Sequence, residues 1–277
     1  MAGTRVLITN DDGVDSPGIH ALARHVELAG YEVLVVAPDH DASGTGAALG
    51  RISPDHPVAL AETSIDGLKG QVYAIGGPPA LCVMAANLEA FSPRPNIVIS
   101  GINAGLNTGR SALHSGTIGA ALAAQNFGLR ALSVSLARSE PWHWETAAQL
   151  AVDVLPAVAD GPERGLVNLN VPGLPRDEVM GIRWTGLATF NSVRGAISGI
   201  ENGRLHFEFE ETREQPDVDT DLAAVRAGYA AVTSLQGTVE VWGPVGAPGE
   251  PFQRGHRAHG ATAGHELRAA RSYLVRN

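Results

Sequence analysis

Short runs of apolar, mostly β-branched residues recur along the chain. They lie at residues 6–8, 33–36, 97–99, 132–135 and 166–169. Most of these runs are apolar without alternation, which is typical of strands whose two faces are both covered by helices. Segments with helical features separate the runs. Strands that alternate with helices predict an α/β fold with a doubly wound, mostly parallel sheet.

Three segments before residue 160 are predicted to be helices. The first starts at Ser16-Pro17 and ends at Gly30, a proline start and a glycine stop. The others are an alanine-rich stretch at 117–127 and an apolar stripe at 145–158. The uncharged stretch 111–129 contains hydroxyl, amide and imidazole side chains, which argue against a membrane helix.

The pattern changes after residue 181. Residues 205–210 alternate between apolar and polar, and a turn signal lies at 201–203, so we predict a β-hairpin arm at about 181–215. A short helix at 221–230 and a strand at 231–235 should close the domain, which we place at residues 1–236. The remainder, 237–277, is rich in glycine and proline and then basic, which predicts a loosely held tail.

Composition narrows the function classes. The 277 residues are 44% hydrophobic, enough for a sizeable core, and their formal charge of -9 disfavours polymeric nucleic acid as a partner. The single cysteine, Cys82, excludes a disulfide framework within the chain and fits a reducing compartment. The amino terminus lacks a signal-peptide pattern. We therefore expect a cytoplasmic protein that does not associate with membranes.

Two adjacent carboxylates, Asp11 and Asp12, follow the first predicted strand and precede Gly13. An Asx-type turn with solvated side chains would explain them without any function. However, ligands bind at the carboxyl ends of the strands in open parallel sheets, and a hard divalent cation would relieve the repulsion between the carboxylates. The position therefore favours a metal site.

Two further polar segments follow other predicted strands. Ser43 lies after the second strand, and residues 100–109, which are rich in glycine and asparagine, include Asn103 and Asn107. Residues 115–117 start the alanine-rich helix and form a candidate anion site, although a simple serine cap is the alternative. One crevice could therefore hold oxygen ligands for a metal on one side and donors to a phosphate on the other.

Several separate motifs occur in the order found in one known family. They are Asn-Asp-Asp-Gly at 10–13, Ala-Pro-Asp at 37–39 with Ser-Gly at 43–44, Arg-Pro-Asn-Ile-Val-Ile-Ser-Gly-Ile-Asn-Ala-Gly at 94–105, Ser-Gly-Thr at 115–117, Asn-Leu-Asn-Val-Pro at 168–172, Thr-Asp at 220–221, and Val-Thr-Ser-Leu-Gln at 232–236. In these motifs the chain resembles the SurE family, the stationary-phase survival proteins. Members of this family are metal-dependent 5'/3'-nucleotidases and broad acid phosphatases.

The resemblance implies roles for individual residues. The metal ligands would be Asp11, Asp12, Ser43 and Asn103, and the phosphate would be held by Asn107, Ser115, Gly116 and Thr117. It also implies a Rossmann-like sheet and a hairpin arm that reaches a neighbouring subunit, and hence a homodimer or homotetramer.

From these implications we expect a phosphomonoesterase that hydrolyses nucleoside 5'/3'-monophosphates and related small phosphate esters. One divalent ion, Mg or Mn, would activate a water molecule, and Asp11 or Asp12 would be the catalytic carboxylate. One rival is a covalent aspartyl-phosphatase, which fails because Asn10 occupies the nucleophile position. The other is a nucleotide- or metal-binding module with weak or no hydrolysis.

The sequence departs from the family pattern around the substrate. Arginine is replaced by Ala42, two acids by Arg110 and Ser111, and a tyrosine by His114. Further departures are Gly46-Ala47-Ala48, Leu81 and Ala123-Ala124. The proposed metal ligands are unaffected, so we expect these changes to reduce activity or to redirect it to another phosphate ester.

Overall fold

A computed structural model describes residues 3–190, 193–211 and 214–239. The strands are β1 Arg5–Thr9, β2 Glu32–Pro38, β3 Leu60–Thr63, β4 Gln71–Ile75, β5 Ile97–Ala104, β6 Arg130–Leu136, β7 Leu166–Val171, β8 Ile182–Trp184, β9 Val193–Glu201, β10 Arg204–Glu211 and β11 Ala230–Leu235. The α-helices are α1 Pro17–Leu28, α2 Pro79–Asn87, α3 Gly116–Asn126, α4 Trp144–Ala159 and α5 Asp221–Arg226, and a 3-10 helix spans Gly109–His114.

Within the described residues, nine strands form one main sheet in the order β3-β4-β2-β1-β5-β6-β7-β11-β8. In this order, the six strands from β4 through β2, β1, β5 and β6 to β7 are parallel to one another. At the two ends of this group, β3 runs antiparallel to β4, and β11 runs antiparallel to β7. The chain builds β2 and β4 on one side of β1 and then crosses to β5 on the other side. The loops after β1 and β5 therefore diverge from a topological switch point.

Helices cover both faces of the main sheet. Val6 and Ile8 of β1 pack into a core with α1 and α4, whereas Leu7 faces a second core with α2 and α3. Successive side chains of a strand point to opposite faces, so burial on both faces requires a continuous apolar run. The predicted α/β fold with a doubly wound, mostly parallel sheet is confirmed.

The hairpin arm consists of β9 and β10, which pair antiparallel as a separate two-stranded sheet. Asn202 and Gly203 form its turn with φ angles of 51° and 72°, and two positive φ values are characteristic of a tight hairpin turn. The predicted turn at 201–203 is therefore present. Residues 182–184, which the sequence assigned to the arm, instead form β8 and pair with β11 of the main sheet.

Other elements differ from the sequence predictions in extent. The helix predicted at 221–230 ends at Arg226, because Gly228 adopts a φ of 85° and Ala230 already starts β11. The strands β3 and β4 and the helix α2 were not predicted. All of β3 is exposed, so it carries no burial pattern that a sequence could show.

The predicted tail at 237–277 lies almost wholly outside the described residues, and the domain boundary stays a prediction. No helix in the described part of the chain has the length and apolar character needed to cross a bilayer.

Candidate functional site

The carboxyl ends of β1, β2 and β5 meet the amino end of α3. Asp11 and Asp12 follow β1, Asn103 is the second-last residue of β5, and Thr117 lies in the first turn of α3. A hydrogen bond of 2.7 Å from the Ala42 amide to the Asp11 carbonyl oxygen ties in the loop after β2. The acidic pair therefore lies at the topological switch point of the sheet.

Asp11 is buried against the start of α3. Its Oδ1 accepts a 2.5 Å hydrogen bond from the Thr117 hydroxyl, and the backbone N–H groups of Gly116 and Thr117 also donate to the carboxylate. Burial raises the pKa of Asp11, and these hydrogen bonds oppose the shift. A Cβ at Gly116 would lie 2.7 Å from the Asp11 side chain, so only glycine permits this approach.

The Asp12 carboxylate has fewer hydrogen-bond partners than the Asp11 carboxylate. The Ala104 amide donates to its carboxylate, but Oδ2 is buried with no hydrogen-bond partner among the residues that the structure describes. Burial and then the Asp11 charge raise the pKa of Asp12 to about 6. A buried, unpaired carboxylate oxygen beside a second carboxylate is an environment that a bound cation would stabilise.

Asn103 shares a hydrogen-bond donor with Asp11. Its Nδ2 donates to the Gly105 carbonyl oxygen at 2.8 Å, and its Oδ1 lies 3.3 Å from the Thr117 hydroxyl. The structure thus brings together the side chains of Asp11 and Asn103, with Asp12 joined to the residue after Asn103. Across the described ranges, no cluster of three His, Cys, Asp or Glu residues could hold a metal ion. Neutral oxygens such as the Asn103 amide would have to complete the donor set.

Ser43, the fourth predicted metal ligand, lies on the loop after β2 and bonds to Asp41. The side chain is exposed, and both its N–H, at 2.9 Å, and its hydroxyl donate to the Asp41 carboxylate. These hydrogen bonds lower the pKa of Asp41. In the described part of the chain, this loop is hydrogen-bonded to Asp11 through the backbone N–H of the adjacent Ala42.

Asn10 has a role that sequence reasoning missed. Its Nδ2 donates to the Gly13 carbonyl oxygen at 2.9 Å and to the Ser16 hydroxyl at 2.7 Å, so it closes the turn that carries both carboxylates. A short amide three residues before a glycine is a signal for such a turn. The side chain is fully buried, and its Nδ2 is engaged in fixing the turn.

The predicted phosphate-binding residues lie on two segments. Ser115 caps α3 by accepting the Ile118 N–H at 3.2 Å, while the amides of Gly116 and Thr117 contact Asp11 as described above. The Asn107 Nδ2 donates one hydrogen bond, of 2.9 Å, to the Ser135 hydroxyl. An amide nitrogen carries two hydrogens, so a second donor of Asn107 remains.

A carboxylate outside the acidic pair, Asp221, is fully buried at the start of α5. It accepts the N–H groups of Gly109 at 2.8 Å, Ala188 at 2.9 Å and Leu222 at 2.8 Å. Burial raises its pKa, and the three amides oppose that shift. Asp221 therefore joins the loop after β5 to the segment that precedes the arm, and sequence reasoning gave it no role beyond the family motif.

The departures from the family pattern fall into two groups. Ala42, Leu81 and Ala123 are buried. Arg110 and His114 are exposed on the 3-10 helix that connects Asn107 to Ser115. The exposed pair therefore lies between the two predicted phosphate-binding segments.

Comparisons with known proteins agree on one family. The family model described as "Survival protein SurE" matches residues 6–193. A 5'-nucleotidase SurE from Desulfitobacterium hafniense is 37% identical over 232 residues, which are 83% of this chain and 90% of that protein. A 5'/3'-nucleotidase SurE from Cronobacter sakazakii is 38% identical over 240 residues, with 83% and 89% covered. A crystal structure of the SurE protein from Aquifex aeolicus superimposes with a TM-score of 0.70 at 30% identity, covering 84% of this chain and 93% of that one.

Proposed function

This chain belongs to the SurE family of survival proteins, and on that premise we propose that it is a nucleotidase, a metal-dependent phosphoric monoester hydrolase. Its substrates are nucleoside 5'- or 3'-monophosphates and related small phosphate esters. The names of the relatives supply the reaction class. The buried, unpaired Oδ2 of Asp12 beside Asp11 is the observation that carries the proposal.

The donor set at the switch point fits a divalent cation. Asp11, Asp12 and Asn103 would hold it, and Ser43 would join them once its hydroxyl leaves Asp41. When bound, such an ion polarises a phosphoryl oxygen and acidifies water. We propose Mg or Mn, because oxygen ligands from carboxylates, amides and hydroxyls suit these hard cations.

The protein's own groups then hold and orient the phosphate. Asn107 offers a remaining amide donor, Ser115 lies at the start of α3, and Gly116 and Thr117 lie in its first turn. The helix dipole favours an anion at this end. The remaining Asn107 donor, the Ser115 hydroxyl and the ion would stabilise the charge that develops on the phosphoryl oxygens, and the donors of Gly116 and Thr117 would join them on leaving Asp11.

The chemistry of Asn10 argues against the covalent alternative. Its amide cannot form an acyl phosphate, and its Nδ2 is already bonded to the Asp11-Asp12-Gly13 turn. The other alternative, a binding module without hydrolysis, is not favoured by the relatives, which are named as nucleotidases.

We further propose a homodimer or homotetramer in which the arm contacts a second copy. Ile197, Ile200, Phe207 and Phe209 are all more than half exposed on the arm. Contiguous exposed apolar surface of this kind is typical of protein interfaces. A cytoplasmic location remains part of the proposal, based on the single buried Cys82.

The test is phosphate release from nucleoside 5'- and 3'-monophosphates and from an aryl phosphate, in the presence of Mg, Mn or a chelator. We expect release only with a divalent ion and a preference among the nucleotides. Absence of release from every substrate, in a folded protein that binds Mn, would overturn the assignment as a nucleotidase in favour of the binding module.

A further inference from the structure

Polar side chains are buried in the middle of two strands of the main sheet. Ser133 and Ser135 of β6 and Asn168 and Asn170 of β7 are fully buried. Buried polar groups in parallel strands require partners, because each unsatisfied group destabilises the fold. The proposed function so far gives these residues no role, although Asn168 and Asn170 belong to one of the family motifs.

Three of the four side chains bond to Asn107. Asn170 makes a pair of hydrogen bonds with this residue: its Oδ1 accepts the Asn107 N–H at 2.9 Å and its Nδ2 donates to the Asn107 carbonyl oxygen at 3.1 Å. Asn168 Nδ2 donates to the same carbonyl oxygen at 3.0 Å. The Ser135 hydroxyl accepts from the Asn107 side chain at 2.9 Å.

Ser133, the fourth buried side chain, orients Asn168. The Ser133 hydroxyl donates to Asn168 Oδ1 at 2.8 Å, which orients the Asn168 amide so that its Nδ2 faces Asn107. These hydrogen bonds therefore run from inside the sheet to one residue of the loop after β5. Both backbone polar groups of Asn107 are held by side chains rather than by a backbone ladder.

We infer that Ser135, Asn168 and Asn170 are positioning residues that fix Asn107 in the orientation needed to bind the substrate phosphate. The inference rests on the proposed function, since Asn107 is there a phosphate-binding residue. A phosphate donor must be held in place before the reaction, because a displaced donor does not stabilise the developing charge. The network is neutral, so it orients the donor without adding a charge that would compete with the acidic pair.

The test compares two hydroxyl deletions in neighbouring parts of the sheet. Ser135→Ala removes the hydrogen bond to the Asn107 side chain. Thr233→Val is the matched control: buried Thr233 of β11 bonds to Thr185 at 3.0 Å and lies opposite Asn168 in the sheet, but within the described residues it makes no hydrogen bond to Asn107 or to its three partners. Both changes remove one side-chain hydrogen bond and should lower Tm by a similar amount, about 2–4 °C.

The readouts are KM, kcat, the inhibition constant of inorganic phosphate, and Mn affinity measured by calorimetry. For Ser135→Ala we expect KM and the phosphate inhibition constant to rise about three- to tenfold, with Mn affinity unchanged. For Thr233→Val we expect all four to stay within about twofold of wild type.

A second variant tests the backbone contacts. Asn170→Asp keeps the acceptor for the Asn107 N–H but places a carboxylate oxygen against the Asn107 carbonyl. We expect at least a tenfold rise in the phosphate inhibition constant, larger than for Ser135→Ala, while Mn affinity should not fall, because the variant adds a negative charge and removes no proposed ligand.

The outcomes separate the two proposals. If wild-type protein releases phosphate and Ser135→Ala behaves like Thr233→Val, the positioning role is wrong and the proposed function stands. Equal losses of phosphate and Mn affinity in Ser135→Ala would also overturn the positioning role, because the network would then support the whole site. If the wild type releases no phosphate and phosphate does not bind, the proposed function itself fails.

Discussion

Half-buried Asp12 and fully buried Asp221 bond to the two ends of the loop after β5, at Ala104 and Gly109, and they differ in how their oxygens are satisfied. The Asp221 oxygens accept three backbone N–H groups. Asp12 accepts the Ala104 amide, faces the charge of Asp11, and leaves Oδ2 without a partner among the described residues. Burial raises the pKa of both side chains.

The difference distinguishes a structural carboxylate from one suited to a cation. Asp221 has donors from three separate segments, so the fold itself offsets part of the cost of burying its negative charge. Asp12 has fewer donors and a neighbouring negative charge, so its ionised form destabilises the metal-free protein. A divalent ion would supply the missing positive charge at Asp12 and would have no site at Asp221.

Removal of the Asp12 charge should have the largest effect on activity. Asp12→Asn should lower the rate of phosphate release by at least about 100-fold, because the site loses one of its two carboxylate ligands. The measurement is phosphate release with saturating Mn, with Asp221→Asn as the comparison. Full activity of Asp12→Asn with an unchanged metal requirement would show that Asp12 does not hold the ion.

The metal should stabilise the wild type but not this variant. At an Mn concentration 100 times Kd, binding to the folded state alone adds about 2.7 kcal/mol to the free energy of unfolding. We expect Mn to raise the Tm of wild type and of Asp221→Asn, and to leave that of Asp12→Asn within experimental error. An equal Mn-dependent rise in all three would place the ion elsewhere in the chain.

Loss of the Asp221 carboxylate should instead weaken the fold. Asp221→Asn replaces one acceptor oxygen by an NH₂ group, so at least one of the three buried amides loses its partner. We expect the free energy of unfolding of the metal-free protein to fall by about 1–3 kcal/mol, measured by urea denaturation. Under the same conditions Asp12→Asn should unfold at an equal or higher urea concentration than wild type. The reverse order would contradict the assignment of the two carboxylates.

The pH dependence should be the smallest of these effects. Because the pKa of Asp12 in the folded protein is about 6, above its ordinary value, protons compete with the ion below that pH. Mn affinity should fall about tenfold per pH unit below pH 6 and level off above pH 7. In the metal-free protein, stability depends on pH in the opposite direction to Mn affinity. The reason is that the folded state binds the Asp12 proton more tightly than the unfolded chain does. The Asp12 contribution to stability should therefore increase as the pH falls from about 7 to about 4.

Calorimetric titration of Mn at pH 5, 6, 7 and 8 measures the first of these dependences. An affinity that does not change across this range would contradict the raised pKa of Asp12.

The main strands of this fold could be predicted because burial on both faces leaves a direct mark on the sequence. The apolar runs at 6–8 and 33–36 became β1 and β2, with the polar residues after them at one edge of the sheet. The exposed β3 and the three-residue β8 leave no such mark. The helix α2 was missed although it is mostly buried, because its apolar residues are spread around the helix rather than confined to one face.

In the candidate site, too, some features could be predicted from the sequence and others could not. The placement of Asp11, Asp12 and Asn103 at the carboxyl ends of β1 and β5 follows from chain order and could be predicted. The hydrogen bonds between Asn107 and Asn170 join residues 63 positions apart, and their pairing depends on the register of β7. The bond of the Ser43 hydroxyl to Asp41 is local, but a resemblance that assigns Ser43 to a metal does not indicate it.

The most direct test of the central claim is the equilibrium binding of Mn to the metal-free wild type, Asp12→Asn and Asp221→Asn, measured by calorimetry at pH 7.5. We expect one site per chain in the wild type, the same affinity in Asp221→Asn within about twofold, and at least about 100-fold weaker binding in Asp12→Asn. Wild-type affinity in Asp12→Asn, or absence of binding in the wild type, would contradict it.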